Sequence, residues 1–214
     1  MKYIFLFPIV LILVGLTSCS ISTVNWPGQQ TPTILIADGG LISQIPCGPP
    51  CFWGIVPGIT SNDEALVKLN SRAAPAKCEE YDYSKRPGGG LRGVSCGFGG
   101  FIFGDDGYVS SIGFTPNGII LKQVIEKYGP PDSIKVGLIT RPEDAPIMAM
   151  ILRYDELQAV IDLPGQAGAE YTLSEDVPIE YVRYIEKAEY AIISANAGGE
   201  PWRGYTSYKI SDTP

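Results

Sequence analysis

Cys78 and Cys96 constrain what this chain can fold into more than any other feature. Cys78 opens the run "CEEYDYS", Cys96 closes "LRGVSC", and the loop "KRPGGG" separates these strand-like stretches. Opposed residues of an antiparallel hairpin lie equally far from its turn, and Pro87 is midway between the two cysteines. Cross-strand Cβ atoms lie about 4.5–5.5 Å apart, a small adjustment away from disulfide geometry. The sequence therefore predicts a bridged hairpin, Cys78–Cys96. That leaves Cys47 and Cys51, in "CGPPCFWGIVPGIT", to close a Gly-Pro-Pro loop. A redox pair and half a metal site are the competing readings. Redox pairs are normally C-x-x-C at a helix start, where the dipole lowers a thiol pKa. This pair has one residue more, and Pro49-Pro50 prevents a helix between the cysteines. A zinc cage needs more ligands, and the chain has no histidine. A structural staple is expected, with no metal and no cofactor.

Disulfides require an oxidising compartment, and the N-terminus supplies a route to one. After Lys2, Ile4 to Leu16 form a nearly unbroken apolar run. It is short of the roughly 20 residues that span a bilayer and fits the core of a secretory signal. Leu16-Thr17-Ser18-Cys19 then resembles the bacterial lipobox at all four positions. The resemblance implies cleavage after Ser18 and a diacylglyceryl thioether on Cys19, anchoring the protein outside the cytoplasm in the cell envelope. Two acyl chains anchor stably where one does not. Residues 1–18 are read as signal and 19–45, rich in Ser, Thr, Gln, Pro and Gly, as a tether. About 25 such residues reach roughly 28 Å.

The formal net charge is −7, and removal of Lys2 makes the mature chain more acidic still. Nucleic acid is therefore not an expected partner, because phosphate binding depends on Lys and Arg. With 45% hydrophobic and 18% charged residues, the remainder reads as a packed fold.

"PGITSNDEALVKL" (Pro57 to Leu69) aligns with "PNGIILKQVIEKY" (Pro116 to Tyr128) at a constant offset of 59 positions. Ala65, Leu66 and Leu69 fall over Val124, Ile125 and Tyr128, one helical stripe in each. Thr60 or Ser61 caps the first helix, and "YGPP" stops the second. Strand-like runs follow each: Lys77–Tyr83, Leu91–Phe103 and Tyr108–Phe114, then Ser133–Ile139, Ile147–Tyr154 and Leu157–Leu163. "GDDG" marks a tight turn, since Asp-Gly tolerates positive φ. Further strands are expected at Ile179–Ile185, at Tyr190–Ala195 and in "PWRGYTSYKI". The predicted fold class is α+β, with two related units, 46–115 and 116–214, each one helix packed on an antiparallel meander.

Gly58 and Thr60 match the G-x-T-x-x-E helix start, with Asp63 at its acidic position and Glu64 one residue beyond, and Gly129 and Pro131 match the helix end, of small bacterial lipoproteins. These include the small lipoprotein of the outer-membrane β-barrel assembly machine and the tandem-repeat β-lactamase inhibitor protein. The ensemble C-x₃-C-[FW]-W-G-I-x-P-G-x-T with a terminal "PWRGYTSY" is also similar to uncharacterised bacterial lipoproteins. The resemblance implies a binding or scaffolding module without catalytic residues.

Without histidine, Ser-His-Asp and Cys-His catalysis is excluded. A carboxylate hydrolase of envelope polysaccharide is the alternative, with Asp105, Asp106, Glu143, Asp144, Asp155 and Glu156 available in predicted turns. A small-ligand-binding lipoprotein is another. "RPGGGLRG" lacks the GK[ST] ending and following helix of a phosphate loop. Phe52, Trp53, Trp202, Tyr205 and Tyr208, in Gly/Pro-rich segments, are the candidate binding residues, as Trp and Tyr dominate binding hot spots. The expected function is non-enzymatic: a membrane-anchored lipoprotein that binds a protein partner.

Overall fold

The structure, a computed structural model, describes residues 38–71, 78–83, 90–139, 146–196 and 198–210. Cys19, the apolar leader, most of the tether and of the "KRPGGG" loop, Glu143 and Asp144 lie outside the described residues.

Helix α1 spans Asn62–Ser71. Ser61 Oγ accepts the Glu64 N–H at 3.2 Å, and Asp63 and Glu64 complement the positive first turn. Strands β1 (Glu79–Asp82), β2 (Arg92–Cys96), β3 (Gly99–Phe103) and β4 (Val109–Phe114) form an antiparallel meander. The run expected from Leu91 to Phe103 is divided into β2 and β3 by a turn at Gly97-Phe98. In the β3–β4 turn, Gly107 adopts φ 92°, as the Asp-Gly pair predicts. Helix α2, Leu121–Tyr128, stops at Gly129, whose N–H bonds the Ile125 carbonyl at 2.8 Å. A second meander follows, β5 (Ser133–Ile139), β6 (Ile147–Tyr154) and β7 (Ala159–Gln166). Strand β8 (Glu170–Thr172), β9 (Tyr181–Ile185), helix α3 (Lys187–Asn196) and β10 (Ser207–Lys209) complete the order.

The fold is α+β, dominated by one antiparallel sheet in the order β1-β2-β3-β4-β9-β7-β6-β5, with β8 and β10 as a separate pair. Two related units are not confirmed. Strand β9 pairs with β4 on one side and β7 on the other, joining both meanders in one sheet. Both neighbours are antiparallel to β9, so β4 and β7 run the same way. Yet β3 and β2 extend to one side of β4, and β6 and β5 to the opposite side of β7. With α1 and α2 buried in the same core, the two segments have opposite senses and do not superpose as repeats would.

Register assigns alternate residues to the two faces. One face carries Val94, Phe101, Ile112, Tyr184, Ile161 and Leu152 and is covered by Ala65 and Leu69 of α1, Leu121 and Val124 of α2, and Tyr171 and Tyr208 of β8 and β10. The other face holds a small cluster, Val160 and Ile185 beneath Tyr190 of α3. Tyr190–Ala195, expected as a strand, lies within α3. Its β-like composition hides a helical stripe, Tyr190 and Ile193, that packs on that cluster.

Asp38–Ile45, assigned by composition to the tether, belongs to the packed fold. The Asp38 carboxylate accepts the N–H groups of Gly40 and Ile42, each at 3.0 Å, and Leu41 is fully buried. Of "PWRGYTSYKI", only Ser207–Lys209 is strand. The segment before it guards a sheet edge: Ile134 of β5 exchanges two bonds with Glu200 at 2.9 and 2.8 Å, and Val136, the next outward position, is 1% exposed. The far edge carries Glu79, Glu80 and Asp82, charges that discourage strand addition.

Both expected disulfides are present, with Cα separations of 5.7 Å for Cys47–Cys51 and 4.2 Å for Cys78–Cys96.

Candidate functional site

The aromatic residues singled out in the sequence separate into two groups. Phe52 is fully buried, with ring centroids of Trp53 and Phe114 at 4.8 Å and Phe98 at 5.6 Å. Trp53 is half-buried at the margin of that cluster, 4.9 Å from Phe98. Trp202 and Tyr205 meet edge to face at 5.5 Å. Tyr208 is fully buried; its hydroxyl accepts the Arg203 N–H and donates to the Gly204 carbonyl, both at 2.9 Å. Among the described residues no ring contact joins the groups. Phe52 and Tyr208 are core, leaving surface roles to Trp53, Trp202 and Tyr205.

Of the four described candidate carboxylates, Asp106 and Asp155 are engaged in structure. Asp106 accepts the Tyr108 N–H at 3.1 Å in its turn, beside exposed Asp105. Asp155 accepts the Tyr190 hydroxyl at 2.9 Å, which fastens α3 to the β6–β7 turn. Glu156 is exposed in that same turn.

Beside α3, the same outer face of the sheet presents a different site, a trough of about 410 Å³ lined by Ile139, Ile147, Ala149, Ile151, Tyr181 and Arg183. That volume falls in the range of small binding sites, roughly 300–1,000 Å³. Register explains the assembly. Lys135, Ile151, Asp162 and Tyr181 are successive cross-strand partners across β5, β6, β7 and β9 and share this face. Gly113 has no side chain because the Tyr181 hydroxyl occupies its place, and Ile147 leans across Gly165 in the same manner. The bulky residues thus lie down on the sheet and form walls. Tyr81 does likewise over Gly93, where an added Cβ would lie 2.7 Å from its hydroxyl.

Charge enters the trough as one pair plus one carboxylate. Arg183 reaches Asp162 Oδ1 through a single nitrogen at 3.3 Å, while its Nε is buried without a hydrogen-bond partner. Glu180 stands exposed at the rim. Burial against the sheet raises the Tyr181 phenol above its ordinary pKa, with Arg183 opposing and Asp162 adding. The arrangement is suited to gripping an apolar side chain beside a charged one, with a neutral phenol able to donate a hydrogen bond.

None of these residues was singled out in the sequence. The available signal was glycine inside strands, in "SSIGF" and "RGVSC", which marks close approach by another group. The approaching groups, Tyr181 and Tyr81, are distant in sequence or across the hairpin, and only register identifies them.

Comparison with protein-family models, with curated proteins and with solved structures returns no match.

Proposed function

We propose that this chain is an exported lipoprotein, anchored through lipid on Cys19, that binds a protein partner through the open face of its sheet. The carrying observation is the apolar trough between Ile147 and Tyr181, presented on the sheet with no helix residue among its lining. A concave site of this volume, lined by apolar side chains with a few convergent polar groups, has the form of a binding site. Both bonded cysteine pairs support an oxidising compartment. The order helix then meander, present twice, supports the resemblance to envelope lipoproteins, although the topology joins the segments differently. No helix among the described residues is long and apolar enough to cross a membrane; in this proposal the lipid is the attachment.

The test is a photoreactive phenylalanine analogue placed at Ile139, on the exposed rim of the trough, and separately at Asp106 in an exposed turn. Irradiation of intact cells should give a discrete protein adduct from Ile139 and none from Asp106. Equal labelling at both positions, or none at Ile139, contradicts binding at this face.

A further inference from the structure

We infer that the loop from Ile42 to Trp53 is a second point of membrane contact, resting among the lipid headgroups beside the anchor on Cys19. The inference rests on the proposed anchor and adds the protein surface that meets the lipid. Between Lys2 and Asp63 the chain carries a single charged residue, Asp38; every other charge follows Asn62, where acidic residues outnumber basic ones. Asp38 is also where the described fold begins, and its carboxylate accepts the N–H groups of Gly40, Ile42 and Ser43 and the Ser43 hydroxyl. By random-coil scaling the stretch from Cys19 to Asp38 spans roughly 24 Å, so the anchor holds the side of the fold that bears this loop nearest the lipid. The loop is held in shape: Cys47–Cys51 closes it, and the Gly54 N–H donates to Cys47 Sγ at 3.4 Å. Out of it stands Ile45, 74% exposed, more than any other large apolar residue described, followed by exposed Pro46 and half-buried Pro49, Pro50 and Trp53. The cation that reaches its end, Lys68 on the Gly54 carbonyl at 2.5 Å, is already paired with Glu64 at 2.8 Å. Glu186 packs on Gly58, beyond the loop. An anionic lipid surface repels the acidic remainder of the molecule, and drawing charge into a bilayer is unfavourable. A loop without charge meets neither obstacle, and Trp is enriched at the boundary between headgroups and acyl chains.

The experiment places the lipidated mature protein in vesicles of phosphatidylcholine and phosphatidylglycerol, with and without bromine on the upper acyl carbons, a contact quencher of tryptophan. One variant, Trp26→Phe with Trp202→Phe, leaves Trp53 as the sole tryptophan; a second, Trp26→Phe with Trp53→Phe, leaves Trp202. Trp53 emission should fall at least about twofold in the brominated vesicles, and Trp202 emission should not change. Ile45→Asp, at an exposed position where little packing is lost, should restore most of the Trp53 emission while the protein still floats with the vesicles. Equal quenching of both tryptophans, no quenching of Trp53, or quenching unaffected by Ile45→Asp overturns the contact and leaves the anchor standing. Protein that fails to float with the vesicles removes the anchor and the contact with it.

Discussion

Arg153 is 5% exposed, and its hydrogen bonds run to Ser133 Oγ at 2.6 Å, to the Ser194 carbonyl at 3.3 Å and to the Gly198 carbonyl. The last two lie at and just beyond the end of α3, where a helix presents unpaired carbonyls and partial negative charge. Arg153→Met should therefore cost about 2–3 kcal/mol in urea unfolding and fray α3 first, seen as faster amide exchange there. An unchanged midpoint would remove the capping role. Gly113→Ala should cost about 1–3 kcal/mol, because the new methyl collides with the Tyr181 hydroxyl. The same substitution should lift Tyr181 from the sheet, raising its exposure to chemical iodination. Neither residue was legible in the sequence: Arg153 reads as an ordinary charged strand position, and nothing local tells Gly113 which tyrosine it must admit.

Elements were far more legible than sites. Helix α1 begins after Ser61, α2 ends at Gly129, and β5 and β6 have the limits their alternation predicts, since caps, turn glycines and period-two patterning act within a few residues. Two assignments failed where tertiary contact decides. Tyr190–Ala195 became helix because its apolar stripe had a cluster on the outer sheet face to cover, and Leu41 left the tether to fill the core beside Phe52. The bridged hairpin followed from symmetry about its loop. Replacing Cys78 and Cys96 with serine should cost about 3 kcal/mol, for the longer closed loop, and the Cys47/Cys51 pair about 2 kcal/mol. The difference in chemical-denaturation midpoints checks this; a larger loss from the shorter loop would mean that Cys47–Cys51 does more than restrict the unfolded chain.

For the whole molecule, the sheet order was beyond local reading. Strand β9 inserts between β4 and β7 from far along the chain, and no periodicity announces a partner at that distance. The molecule also buries an unusual set of phenols. Burial pushes Tyr171 up to about 12 and raises Tyr154, Tyr184 and Tyr190. In the unfolded chain these phenols ionise near 10. Their neutral forms therefore stabilise the fold fully below about pH 10, and that contribution is lost as pH rises from there through the folded values. Alkaline titration should show phenolate absorbance delayed past the ordinary tyrosine range and rising together with loss of circular dichroism. Ionisation complete before any unfolding would contradict the burial of these rings.

An intact-mass spectrum of the protein extracted from its own cells tests the lipid anchor and the cysteine pairing together. The expected species is a membrane-associated polypeptide beginning at Cys19, heavier by a diacylglycerol and its acyl chain, with its four other cysteines joined as Cys47–Cys51 and Cys78–Cys96. A soluble, unmodified polypeptide beginning at Met1, with those thiols free, would contradict it.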